Sequence, residues 1–181
     1  MGMFDVTDLP IPGVRLLRTQ VHKDQRGSFT KIAHDTFFAA AHIRMDFKEQ
    51  YFSRSVRGVV RGMHFQTPPH DHAKLVTCIS GTMLDVVLDL RRNSRTFGKC
   101  VDVELSAENG MSIYIPAGCA HGFAAISDEV ITLYGVTTIY EANHDMGVRW
   151  DSFGFRWPIA TPILSARDRL HPKFGDFSSP F

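Results

Sequence analysis

The chain has 181 residues, 44% hydrophobic and 22% charged, with 20 Lys and Arg against 19 Asp and Glu. That is one domain's worth of sequence with enough apolar material for a core. A formal net charge of +1 excludes a general attraction to nucleic acid or an anionic membrane surface. No apolar run reaches membrane-spanning length. Three cysteines without a CxxC pair favour a reducing cytosol over a disulfide framework. MGMFDVTDLP at the N-terminus has no basic segment leading into an apolar one, and Val6 stands where a myristoylation signal needs Ser or Thr. A cytoplasmic protein is expected.

In chain order, VRLLRT, SFTKIA, QYFSRS, GVVRGMHF, AKLVTCI, MLDVVLDL, KCVDVEL, SIYIP, GFAAI and VITLYGVTTIY read as strands. Within MLDVVLDL, Leu84, Val86, Leu88 and Leu90 fall on one face and Asp85 and Asp89 on the other. Ser80-Gly81, just before it, reads as a hairpin turn. DTFFAAAHI (35–43) and SARDRL (165–170) are the two helical stretches. There is no repeat and no low-complexity linker. Many short strands punctuated by Gly and Pro predict an all-β jelly-roll barrel with short flanking helices.

RGMHFQTPPHDHAKLV (61–76) holds three histidines within nine positions, which raises the question of a metal. Compared with the cupins, Gly110, Pro116, Gly118 and His121 match the second motif of that jelly-roll superfamily. The first is matched in spacing by Gly58, His64 and Gly81, but Gln66 and Lys74 occupy two ligand positions. An ammonium has no lone pair and repels a cation, and Gln is a poor transition-metal ligand. With His70 and His72 in a loop, the expectation is that no metal is bound. A lysine near a lost metal still offers fixed positive charge to a developing enolate. His64 then becomes a candidate base for a C–H proton beside a carbonyl.

RGMHFQTPP, DVVLDLRRNSRTFGK, LSAENG, YIPAGCAHGF and LYGVTTIY together resemble the dTDP-4-dehydrorhamnose 3,5-epimerases, cofactor-free members of the cupin superfamily. The likeness runs from about residue 24 to 168. It implies a carbohydrate epimerase that inverts C3, C5 or both of a nucleotide-diphosphate-linked 4-keto-6-deoxyhexose, for deoxysugar or surface-polysaccharide synthesis. By resemblance His64 is the base, Asp168 orients it, Lys74 holds the enolate oxygen with His121, and Tyr134 protonates the opposite face. Arg26, Arg61, Asp145 and Arg167 map onto diphosphate and nucleotide contacts, and Tyr140 onto a base-stacking aromatic. The family's dimer implies a single domain (1–181) with a core at about 45–140, exchanged N-terminal strands at about 13–45 and a C-terminal arm at 141–181. Arg26 would then serve the neighbour's pocket.

Strict alternation along GVVRGMHF sends Arg61 and His64 to opposite faces, so sharing a pocket requires a bulge, expected at Gly62. Lys31, Glu49, Gln50 and Tyr51 depart from the family pattern where thymidine is recognised, which points to another nucleotide, a cytidine diphosphate among the candidates. Gly135 follows Tyr134 where many relatives carry Lys. Three alternatives stay open: a metal-dependent cupin enzyme, a nucleotide-sugar 3,4-ketoisomerase, and a binding module without chemistry.

Overall fold

The computed structural model describes residues 4–44 and 46–181. Met1–Met3, at the start of the stretch read for targeting signals, and Met45 lie outside the described residues. Thirteen strands are present among them. They are β1 (Phe4–Asp8), β2 (Arg15–Thr19), β3 (Val21–Asp24), β4 (Gly27–Thr30), β5 (Glu49–Val56), β6 (Val60–Gln66) and β7 (Lys74–Ser80). Then follow β8 (Thr82–Asp89), β9 (Cys100–Ser106), β10 (Met111–Ile115), β11 (Cys119–Ala125), β12 (Glu129–Val136) and β13 (Asp145–Gly147). Helix α1 covers Asp35–Ala40 and α2 covers Ala166–Leu170. Both expected helices exist, the first shorter than its sequence pattern.

A six-stranded sheet, β1-β2-β10-β7-β12-β5, faces a five-stranded one, β13-β6-β11-β8-β9. The jelly roll expected from the sequence is the fold. Between the sheets lie Ile11, Val14, Val76, Met83, Leu105, Ile113, Phe123 and Val130. α1 closes part of the outer face of the larger sheet, packing Phe38 on Leu17, Leu75 and Tyr114. The chain after residue 150 covers the outer face of the smaller sheet with Phe155, Trp157, Phe177 and Phe181 against Met63, Phe65, Leu88 and Leu90. Each fully buried Leu or Phe there contributes about 2 kcal/mol relative to exposure.

Two expectations are corrected. The Ser80-Gly81 turn is no hairpin, because β7 and β8 belong to opposite sheets. The turn is a barrel corner, where a Cβ on Gly81 would lie 2.0 Å from the Glu129 carbonyl oxygen. The alternation in β8 is real but both faces are buried: the leucine face looks outward under the C-terminal arm, and Asp85 points into the barrel. β1, β3 and β13 were not apparent as strands, being short, polar or at sheet margins. β3 and β4 form a hairpin outside both sheets.

Candidate active site

β6 carries the site because of a bulge. Its register against β11 pairs His121 with His64 but Phe123 with Arg61, so Gly62 and Met63 together oppose Gly122. The extra residue turns Arg61 and His64 to the same side, the bulge expected at Gly62 if the two share a pocket. Gly62 is needed: its φ is +140° and an added Cβ would lie 2.6 Å from Gly122 Cα. Both side chains line a cavity of about 340 Å³ at one end of the barrel.

Behind His64 stands Asp168. The segment before α2 runs beside the start of β6, with Val60 N–H donating to Ile163 O at 3.1 Å and Ile163 N–H to Gly58 O at 2.9 Å. Ser165 then caps α2, accepting from Asp168 N–H at 3.0 Å. This places Asp168 Oδ1 2.8 Å from His64 Nε2, with Gly62 N–H donating to Oδ2 at 3.4 Å. Burial opposes ionisation of Asp168, but hydrogen bonding with His64, the charge His64 carries when protonated, and the Ser165 and Gly62 contacts together outweigh it and hold the carboxyl below its usual range. Nε2–H donates to this carboxylate, which leaves Nδ1 of His64 as the proton acceptor. His171 packs beside the pair without lining the cavity, its Nε2 3.7 Å from Asp168 Oδ1.

Lys74, at the start of β7, is only 6% exposed. Its Nζ donates to the His64 carbonyl oxygen at 3.1 Å. Burial pulls its pKa from 10.5 down to about 8, against the attraction of Asp145 and Asp85, so the ammonium persists at neutral pH. His121 is held by Asp85, with Nε2 2.7 Å from Oδ2. Asp85 was missed as a site residue; its mark is an aspartate inside an apolar strand, meaningful only once β8 and β11 are known to pair. Tyr134 is 7% exposed, and burial drives its phenol well above the usual range, leaving a neutral hydroxyl. Its OH lies 3.4 Å from Ser53 Oγ. Tyr51, 41% exposed, stacks on it at 4.8 Å, and partial desolvation raises its phenol as well. On the opposite face of β12, a Cβ on Gly135 would meet the Phe47 ring at 2.9 Å, so no longer residue fits there.

Further along the cavity, Glu49 Oε2 accepts from Tyr140 N–H at 2.7 Å. Arg61 is oriented by Ser55 Oγ at 3.0 Å and Arg54 O at 3.1 Å. Arg167 and Asp145 pair with each other at the wall. His72, absent from the expected set, also lines the cavity; burial and the nearby Lys74 lower its pKa to about 3, so it is neutral. Besides Asp168, which stands behind His64, three expected residues lie outside this chain's cavity: Arg26 is paired with Asp24 on the β3–β4 hairpin, Lys31 follows β4, and Gln50 points away between Glu49 and Tyr51.

The cupin ligand positions do not form a metal set. Lys74 is a cation, and Gln66 is spent on backbone, donating to His70 O at 2.8 Å and accepting from Glu141 N–H at 2.6 Å. His121 is committed to Asp85.

The sequence profile described as dTDP-4-dehydrorhamnose 3,5-epimerase matches residues 8–176. An epimerase of that description from Shigella flexneri is 38% identical over 175 residues, 95% of this chain and 97% of its own. The crystal structure of the one from Sulfolobus tokodaii superposes with a TM-score of 0.92 at 32% identity, covering 98% of this chain and 99% of that one. A 3'-monoepimerase from Streptomyces bikiniensis, solved with dTDP-quinovose, gives 0.87 at 29% identity over 93% of this chain and 87% of its own. With the motifs, the barrel and these likenesses in agreement, the chain belongs to the dTDP-4-dehydrorhamnose 3,5-epimerase family.

Proposed function

We propose that the chain inverts C3, C5 or both of a nucleotide-diphosphate-linked 4-keto-6-deoxyhexose through an enolate. The observation that carries this is the meeting, in one cavity, of a His64–Asp168 dyad, a buried Lys74 ammonium and a neutral Tyr134 hydroxyl. Nδ1 of His64 takes the proton from the carbon beside the C4 ketone. The C–H electron pair becomes the enolate double bond and the carbonyl pair moves to O4, which Lys74 and His121 stabilise. One such donor is worth about 10²–10³ in rate. Tyr134 returns a proton to the carbon from the other face, which inverts it. Arg61 and Arg167 bind the diphosphate, and Tyr140 stacks on the base. The enzyme works as a single domain, and its three free cysteines fit a cytoplasmic setting.

Incubating such a sugar nucleotide in deuterated water tests this. Deuterium entering at C3 or C5 with inversion is the expected result; exchange at neither carbon refutes it, and a product with its ketone at C3 makes the chain a ketoisomerase.

The nucleotide is read as other than a thymidine diphosphate, with a cytidine diphosphate among the candidates. Glu49 only accepts hydrogen bonds, which suits an exocyclic amine better than a carbonyl. Titrating His64→Asn with dTDP, CDP, UDP and GDP checks this, and a clear preference for dTDP ends it. The active form is read as a homodimer. The β3–β4 hairpin joins neither sheet and leaves Phe29 63% exposed, and a lone hairpin is marginal in water. Docked on a second copy, it carries Arg26 toward that copy's cavity. Light scattering at the monomer mass overturns this part.

A further inference from the structure

The family chemistry leaves His171 without a task, yet its placement is specific. Its side chain is 10% exposed, and its Nε2 is buried with no hydrogen-bond partner. At 3.7 Å from Asp168 Oδ1 it is too far for a hydrogen bond. Burial first, then the charge His64 carries when protonated and that of Arg167, keep the ring below the usual histidine range despite Asp168 and Asp145, so it is a neutral imidazole. A slot is provided for it. Gly147 of β13 is the register partner of His64, and a Cβ there would lie 2.4 Å from His171 Nε2. One ring nitrogen each of His64 and His171 and a carboxylate oxygen of Asp168 all lie within 4.8 Å of one another, and it is Nε2 of His64 that meets Asp168 Oδ1 at 2.8 Å.

We propose that His64, Asp168 and His171 form an inhibitory site for a zinc-like divalent transition ion. Two imidazoles and one carboxylate are the donor set that zinc takes in open three-ligand sites, and a poor one for the all-oxygen preferences of calcium and magnesium. Tetrahedral zinc with bonds of about 2.1 Å spaces its ligand atoms by about 3.4 Å. To reach that, the pair at 2.8 Å opens, the pair at 3.7 Å closes slightly, and the two ring nitrogens, within 4.8 Å of each other, come to the same spacing. Arg167, although paired with Asp145, still acts against positive charge at His171, and the Asp168 and Asp145 carboxylates act for it.

The ion is an inhibitor rather than a cofactor because of where the proton goes. In the resting dyad Nε2 of His64 carries hydrogen and Nδ1 is free. An ion on Nε2 forces the neutral ring into the other tautomer, with hydrogen on Nδ1. The atom that would receive the substrate proton then has no lone pair, and no net proton is gained or lost. Binding of the ion stands on geometry alone; its effect on turnover rests on the reaction proposed above.

The full chain, stripped with EDTA, is titrated with zinc chloride by calorimetry, and with cobalt(II) for its visible spectrum, alongside His171→Gln and His171→Ala. The wild type is expected to bind one ion here at micromolar concentration or tighter, and both variants at least tenfold more weakly. Zinc is expected to stop deuterium incorporation in the wild type, reversibly with EDTA, while both variants keep basal activity and lose the sensitivity. No binding by the wild type, or equally tight binding by both variants, overturns the site. Binding that depends on His171 without loss of activity overturns the inhibition. Binding that depends on His171 in a chain inactive on every 4-keto sugar upholds the site and refutes the reaction instead.

Discussion

Replacing Lys74 with methionine is expected to stabilise the protein while disabling it. The ammonium is 6% exposed, and burial moves its pKa from 10.5 to about 8. That displacement corresponds to about 3 kcal/mol spent on keeping the charge inside the barrel. Methionine has similar reach and removes the charge, at the loss of the bond to the His64 carbonyl, worth about 1 kcal/mol. The net gain of about 2 kcal/mol raises Tm by roughly 4–8 °C for a chain of this size. The sign follows from linkage. A lysine with a depressed folded pKa binds fewer protons than the unfolded chain between about pH 8 and 10.5, so the wild type gains stability as pH rises through that window. The advantage of Lys74→Met is therefore full at pH 7 and gone above pH 10.5. Calorimetric melts of both proteins at pH 7 and pH 10 measure it. Turnover should fall by about 10²–10³ with the oxyanion donor lost. A variant melting at or below wild type at pH 7, or retaining its turnover, would refute the reasoning.

The same shift sets an alkaline limb on wild-type turnover, since Lys74 loses its proton above about pH 8; rates across pH 7 to 10 should fall tenfold per unit beyond that point, and a flat profile contradicts an ionised Lys74 role. Gly62→Ala puts a Cβ 2.6 Å from Gly122 Cα at a φ of +140°, so it should lose about 2–4 kcal/mol and most activity, seen in thermal melts and turnover. Tyr134→Phe should lower inversion by about 10²-fold while His64 still exchanges the substrate proton with solvent. Mass spectrometry separates the two, and equal loss of both places the tyrosine elsewhere in the reaction.

Much of this protein was legible from local spacing. Period-two alternation and Gly/Pro punctuation gave an all-β fold, and motif distances picked His64, Lys74 and His121 with a lysine where a ligand should be. Even the bulge at Gly62 followed, because Arg61 and His64 cannot share a face on a regular strand. Pairing across the barrel decided the rest. Asp168 lies 104 residues from His64, and Asp85 meets His121 only because β8 and β11 are neighbours. Alternation says that β8 has two faces but not which one looks inward, since both are buried. Gln50 was placed in the site by sequence proximity and turned out of it by the pleat, while His171 drew no notice until Gly147 of a distant strand made room for it. Local patterns fix which way neighbouring side chains point relative to one another; contacts between strands far apart in sequence fix what they meet.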